Sequence, residues 1–222
     1  LDKHTFIRYQ ELGLIASAGY DKVKVFKKPR VKVIITGNEL VEPTKEEIDK
    51  AKIINSNQYT VSAMVEDSGA ICDITHAGDT FDEVKEAILE ASNDYDVIIT
   101  TGGTAISKGD VVLDVVDDLG EILFHGVAVR PGKPVGAGVV NDKMVFTLSG
   151  QPVASMSQVD MVARKYLFEM QGRSFDFHLQ KRVSELKIPS QLGSTDFIRA
   201  FADDENAKHI LNSGSGIIRS MV

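Results

Sequence analysis

The sequence predicts an α/β protein: a three-layer domain on a parallel or mixed sheet, followed by a small C-terminal β-domain. Short runs rich in β-branched residues, Val31-Lys-Val-Ile-Ile-Thr36 and Asp96-Val-Ile-Ile-Thr100 foremost, read as strands buried on both faces. Several of these runs are followed by segments whose apolar positions recur at helical spacing, as in 111, 112, 115, 116 and 119. After Gly172 the pattern changes to short alternating runs separated by turns. The expected organisation is residues 1–29 as the tail of a preceding domain and linker, 30–172 as the α/β domain and 173–222 as the β-domain.

Taken in order, Tyr9 to Ala18 predicts a short helix ended by Gly19, before the alternating run Lys22-Val-Lys-Val-Phe26. Val31 to Thr36 is the first core strand, and residues 41–54 read as a charged, exposed excursion. Asn55-Ser-Asn57 can cap a helix that runs to Asp67 and stops at Gly69. Ala70 to Thr75 is the second strand. Thr80 and Glu83 stand at capping-box spacing for a helix from Phe81 to Ser92. Asp96 to Thr100, Glu121 to Phe124 and Met144 to Leu148 complete the expected strands of this domain, with a helix from Val111 to Leu119 between the first two. Pro152 suits the first turn of a helix that reaches Met170 and stops at Gly172. In the last part, Phe175 to Val183, Thr195 to Ala202 and His209 to Leu211 alternate as strands do.

Composition bounds the function. A chain of 222 residues with 43% apolar and 26% charged positions has a globular make-up. No apolar run approaches the roughly 20 residues that a spanning helix needs, so no membrane role is expected. The net charge of −7 without a basic patch argues against nucleic acid. Cys72 is the only cysteine, which removes disulfides and cysteine metal cages and makes the cytoplasm the default compartment. Leu1 followed by DKHTF is expected to be an internal start within a longer chain.

Candidate chemistry gathers at the predicted strand ends, where open parallel sheets bind ligands. Thr101-Gly102-Gly103-Thr104 joins a strand to a helix, a geometry that aims backbone N–H groups and a helix dipole at an anion. Glu39, Asp79 and Asp110 follow the first three strands, Arg130 and Lys133 precede the last, and Ser149-Gly150-Gln151 follows it. Carboxylates, cations and glycine turns on one rim suit a phosphate-bearing ligand with Mg²⁺, held by Asp79 and Asp110 with Glu39 nearby. Plainer alternatives stand beside this. The glycines can form an ordinary strand-to-helix turn, Asp79 and Asp110 can serve helix N-termini, and Arg130 and Lys133 can be solvated. His76 and His125 lack zinc-site spacing and read as structural.

TGNEL (36–40), NSN (55–57), Gly78-Asp79, TTGGTAISKGD (100–110), LGEILFHGVAVRPGKP (119–134) and SGQPVAS (149–155) together resemble the MoeA family. These are the molybdopterin molybdenumtransferases, to which the C-terminal domain of gephyrin is related. HGVAVRPGKP is the most specific part, since the sister MogA, MoaB and CinA-type proteins share the glycine turn but lack this run. The resemblance covers residues 22 to 172, with TDFIRA and NSGSG as weaker landmarks of a C-terminal β-domain. It implies a molybdopterin-binding, MogA-like fold and insertion of molybdate, or tungstate, into adenylylated molybdopterin with Mg²⁺-dependent release of AMP. It also implies an elongated homodimer whose N-terminal domains complete the site, so this chain alone is expected to fold without turning over. By motif position Glu39, Asp79 and Asp110 match the family's functional acids and Lys133 a lysine of its proline-glycine loop.

The chain also departs from that pattern. Asn38 and Asn55 stand where the family has acids, Gly126 and Arg130 where it has lysines, and Ser149-Gly-Gln-Pro152 replaces PGNP. Two other readings therefore stay open: a MogA-like molybdopterin adenylyltransferase, and a divergent paralogue that binds a pterin or a protein without turnover.

Overall fold

A computed structural model describes residues 1–44, 46, 53–102, 110–184, 186–188, 190 and 192–210. Its centre is a six-stranded mixed sheet of β1 (Arg30–Thr36), β4 (Ile71–Ala77), β5 (Val97–Thr101), β6 (Glu121–His125), β8 (Gly136–Val140) and β9 (Lys143–Leu148). The strand order is β4-β1-β5-β9-β8-β6. The first four run parallel, and β8 is antiparallel to both β9 and β6.

Within the parallel strands successive side chains enter opposite layers, and both layers are apolar and buried. Val31, Val33 and Ile35 pack with Val97 and Ile99 against Val61, Val65, Val159 and Leu167. Those partners belong to α2 (Asn57–Asp67) and to the long helix after β9, here α5 (Pro152–Gln158), a π turn (Val159–Ala163) and α6 (Arg164–Met170). Ile34 and Ile98 face the other way, against Val84 and Ile88 of α3 (Phe81–Asp94) and Val112 and Val116 of α4 (Val111–Leu119). Burial on both faces is why these strands carry nearly unbroken apolar runs. The expected capping box forms: Thr80 Oγ1 accepts from Glu83 N–H at 3.4 Å, and Glu83 Oε2 accepts from Thr80 N–H at 3.2 Å.

Several expectations need correction. The strand Gly136–Val140 was not anticipated, because Gly136 and Gly138 dilute its apolar signal. Gly138 is needed there: a Cβ would lie 2.4 Å from Val116 Cγ1 and 2.6 Å from the Glu121 carbonyl oxygen, so α4 and β6 can close on it only without one. Its hairpin with β9 turns on Asn141 and Asp142, both left-handed (φ 49° and 61°), as a tight two-residue loop demands.

The run Phe175 to Val183 pairs only at its end, in β10 (Val183–Ser184). Phe175 instead packs against Phe168 and Phe177, with ring centroids 5.2 Å apart in each pair. Strands β10, β13 (Asn206–His209) and β12 (Ala200–Ala202) form a small sheet, while Leu211 lies outside the described residues. β11 (Thr195–Asp196) leaves that sheet to pair with β7 (Val129–Arg130), tying the C-terminal part to the proline-glycine loop.

The excursion at 41–54 is flanked by two short paired strands, β2 (Leu40–Val41) and β3 (Ile53–Ile54); residues 45 and 47–52 lie outside the described residues. At the N-terminus α1 (Tyr9–Ser17) buries none of its residues, and the run at 22–26 forms no strand. His4 stacks on Phe26 and bonds the Gly172 carbonyl at 2.9 Å, leaving an apolar groove of about 810 Å³ beside α1.

Gly138→Ala is expected to destabilise the fold by about 1–3 kcal/mol through overpacking. Gly13→Ala in α1, with nothing within 4 Å of the added methyl, is expected to be neutral or stabilising by up to about 1 kcal/mol. Urea denaturation of both variants checks this pair.

Candidate functional site

Chain direction places the site. From β1 the chain moves through α2 to β4 on one side, then returns through α3 to β5 on the other side of β1. α2 and α4, the helices that follow β1 and β5 in the α/β unit, lie on opposite faces of the sheet. A crevice therefore opens between the C-terminal ends of β1 and β5. A cavity of about 740 Å³ occupies that position, walled by Thr36 and Glu39 after β1, Thr101 and Gly102 after β5, and Ser149, Gly150 and Gln151 after β9. Gly132 and Pro134 of the proline-glycine loop close another side, and Asn55 to Asn57 line it from the start of α2.

The two glycine turns meet here. Gly102 adopts φ 105°, and a Cβ on it would sit 2.2 Å from the Thr36 carbonyl oxygen. A Cβ at Gly150 would lie 3.4 Å from Gly102 Cα, so the turns after β5 and β9 are in direct backbone contact. One expectation is corrected: the Gly102 N–H is not open, since the Leu148 carbonyl accepts from it at 3.3 Å and extends the β5–β9 ladder. Gly103 and Thr104 lie outside the described residues. In the second turn Gln151 N–H donates to Ser149 Oγ at 3.2 Å, and Gly150 N–H carries no hydrogen bond among the described residues.

Buried side-chain amides hold these turns. Asn57 Nδ2 donates to Thr101 Oγ1 at 2.7 Å and to the Gly150 carbonyl at 2.9 Å, while its Oδ1 accepts from Ser155 Oγ at 3.3 Å. Gln158 Oε1 accepts from Ser149 N–H at 2.7 Å, and its Nε2 donates to the Gly132 carbonyl at 2.9 Å. Sequence reasoning took Asn57 as part of a helix cap and passed over Gln158. The available signal was polar Ser155 and Gln158 on the same helical stripe as Ala154 and Val159, all of them buried.

A second polar group flanks the cavity. His76 Nε2 lies 3.1 Å from Gln58 Oε1 and 3.6 Å from Glu42 Oε1, and Gln58 Nε2 donates to Glu42 Oε2 at 2.7 Å. Asn55 Oδ1 accepts from Gln58 N–H at 3.2 Å, which is the capping bond expected of this stretch.

The other candidate residues sit around the cavity rather than in its wall. Asp79 Oδ2 accepts from Asn38 N–H at 2.9 Å, joining the loops after β4 and β1. Arg130 forms a two-pronged ion pair with Asp196, at 2.8 and 2.9 Å, so its charge is committed to the C-terminal part. Lys133 is exposed and outside the cavity lining, between Gly132 and Pro134, which line it. Among the described residues no group of three His, Cys, Asp or Glu side chains gathers where a metal ion could be held.

Asp110 is 6% exposed and caps α4, its Oδ1 accepting from Leu113 N–H at 3.1 Å. Its Oδ2 is buried and unpartnered among the described residues. Burial pushes its pKa above the usual carboxylate range, against the cap bond and the charge of nearby His125. The folded chain thus keeps this proton to higher pH than the unfolded chain, whose Asp titrates near about 3.9. As pH rises through that window the folded state binds more protons, so stability falls and stays lower above it. Asp110→Asn keeps an oxygen for the cap, and should flatten that decline and raise stability at neutral pH relative to the parent. Denaturant melts of both proteins across the acid range check this.

Comparison with known proteins gives the fold and site a family. The probable molybdopterin binding domain matches residues 32–169. A Methanocaldococcus jannaschii protein named for molybdopterin biosynthesis is 36% identical over 235 residues, covering 100% of this chain and 56% of its own length. The molybdopterin molybdenumtransferase of Haemophilus influenzae is 28% identical, with coverage of 86% and 48%. This chain thus spans about half the length of the curated relatives it matches. Among solved structures, a molybdopterin biosynthesis MoeA protein from Pyrococcus superposes with a TM-score of 0.85 at 30% identity, over 99% of this chain and 54% of that one. A molybdenum cofactor biosynthesis protein B, at 18% identity and a TM-score of 0.52, shares the fold over 67% of this chain. The chain belongs to the molybdopterin-binding family, on the side of its MoeA proteins.

Proposed function

We propose that this chain serves molybdenum cofactor assembly, and that the cavity at the ends of β1, β5 and β9 receives the phosphate of adenylylated molybdopterin while molybdate, or tungstate, is inserted and AMP released. The observation that carries the reading is the contact between the Gly102 and Gly150 turns at the topological switch point, bordering a cavity of about 740 Å³. An acidic protein must assemble anion donors locally. Here the wall offers the Ser149 hydroxyl and the Gly150 N–H, with Lys133 beside the lining residues Gly132 and Pro134, while the Thr101 hydroxyl already donates to the Ser149 carbonyl at 3.4 Å.

Glu39 is the carboxylate in the described cavity wall. Mg²⁺ usually binds through one or two carboxylates together with ligand phosphate. The described residues fit such a shared ion, with Glu39 and phosphate oxygens as its anionic ligands, and do not fit a cage built by protein alone. The ion's chemistry would be to neutralise phosphate charge as the bond to AMP breaks. Asp79 keeps the loop that carries Glu39 in place through Asn38. The homodimer implied by the resemblance belongs to the same proposal.

The test is AMP release by the full-length protein given adenylylated molybdopterin and molybdate. Glu39→Gln is expected to lower the rate at least about tenfold, the scale on which loss of even a group that supports a metal ligand is felt, with little change in melting temperature. Consumption of ATP with free molybdopterin, and no AMP release from the adenylylated form, would replace this reading with the adenylyltransferase. Binding without either reaction would support a non-catalytic paralogue.

A further inference from the structure

We propose that Gln158 is a positioning residue: its buried side-chain amide locks the proline-glycine loop to the Ser149 turn and so fixes the width of the cavity between them. This rests on the reading of that cavity as a phosphate-binding site. Gln158 is fully buried, and both polar ends of its side chain are used on backbone, accepting from Ser149 N–H and donating to the Gly132 carbonyl. Those two residues belong to different walls of the cavity. They are 17 positions apart in sequence and stand on loops that β8 and β9 separate.

The local structure is shaped for this contact. Gln158 closes α5 where the helix widens into the π turn Val159–Ala163, a feature that often accompanies functional positions. Gly132, at φ 112°, would place a Cβ 3.2 Å from Gln158 Cγ, so the glycine lets the loop come down onto the glutamine side chain. The loop is otherwise held by its own short bonds, Gly126 N–H to the Val135 carbonyl at 2.8 Å and Val127 N–H to the Lys133 carbonyl at 3.0 Å, and on its outer side by β11 and the Arg130–Asp196 pair. Asn57 performs a different task, tying the Ser149 turn to β5 rather than to the proline-glycine loop. A glutamine that merely filled the core would couple nothing. A coupling glutamine makes the two loops open together.

The experiment compares the full-length parent protein with Gln158→Met and Gln158→Leu, which fill the space and remove both bonds, and with Gln158→Glu, whose carboxyl, kept protonated by burial, can still accept from Ser149 N–H and donate to the Gly132 carbonyl. Ile88→Val, in the opposite helical layer, controls for general loss of stability. Amide hydrogen exchange is read at Gly126, Val127 and Ser149, and AMP affinity by calorimetry. Q158M and Q158L are expected to speed exchange at all three amides at least tenfold and to weaken AMP at least tenfold. Q158E, which can keep both bonds, should stay near the parent in both readouts, and Ile88→Val should leave AMP affinity alone. Unchanged exchange at Gly126 and Val127, or faster exchange with unchanged AMP affinity, would overturn the proposal. If the full-length parent binds no AMP, the phosphate-site reading falls and the exchange pattern alone decides the clamp. Should Q158M fail to fold, Q158L carries both readouts.

Discussion

Gly102 stands where the ends of β1, β5 and β9 converge, and the space left to it excludes even a methyl group. A Cβ would collide with the Thr36 carbonyl on one side, and the Gly150 turn presses in on the other. This backbone contact sets how closely the two turns can stand and where the chain leaves β5. Around it the cavity takes its form: Thr36 and Glu39 on one flank, Ser149 to Gln151 on the other. A side chain at 102 would spread the strand ends and open the ladder bond from Gly102 N–H to Leu148.

Bringing these turns together buries polar groups such as the Thr101 hydroxyl and the side chains of Asn57 and Gln158, and each left unpaired costs about 1–3 kcal/mol. The chain meets this with amide side chains rather than charges. Asn57 serves Thr101 and Gly150, and Gln158 serves Ser149 and Gly132. A carboxylate in either place would lack donors and carry a charge into a buried site. Charge is kept to the margins: Arg130 pairs with Asp196, His76 shares a polar group with Gln58 and Glu42, and Asp110 closes the start of α4.

Much of this was legible in the sequence, for definite reasons. The buried strands announced themselves because both faces of the sheet are covered, which forces apolar residues at successive positions in Val31 to Thr36 and Val97 to Thr100. The three-layer order followed from the helical spacing between them. Strand β8 was hidden because the feature that lets α4 and β6 approach it, Gly138, is also what a strand pattern lacks; the Asn141-Asp142 turn was the readable clue. Phe175 to Val183 misled because its aromatics pair with one another and Phe168 instead of alternating across a sheet. At the site, glycines and carboxylates were findable by motif. The burial of Asn57 and Gln158 was not, because what they hold lies on distant stretches of chain. The ion pair of Arg130 depended on Asp196, 66 positions on, and on the β7–β11 pairing that no local pattern encodes.

The central claim is that the cavity between the Gly102 and Gly150 turns is where the phosphate of the ligand sits. A crystal structure of the protein with AMP tests it most directly. The account predicts phosphate density within hydrogen-bonding distance of the Gly150 N–H and the Ser149 hydroxyl, with Glu39 on the same cavity. Ordered AMP bound elsewhere, with this cavity holding only water, would contradict it.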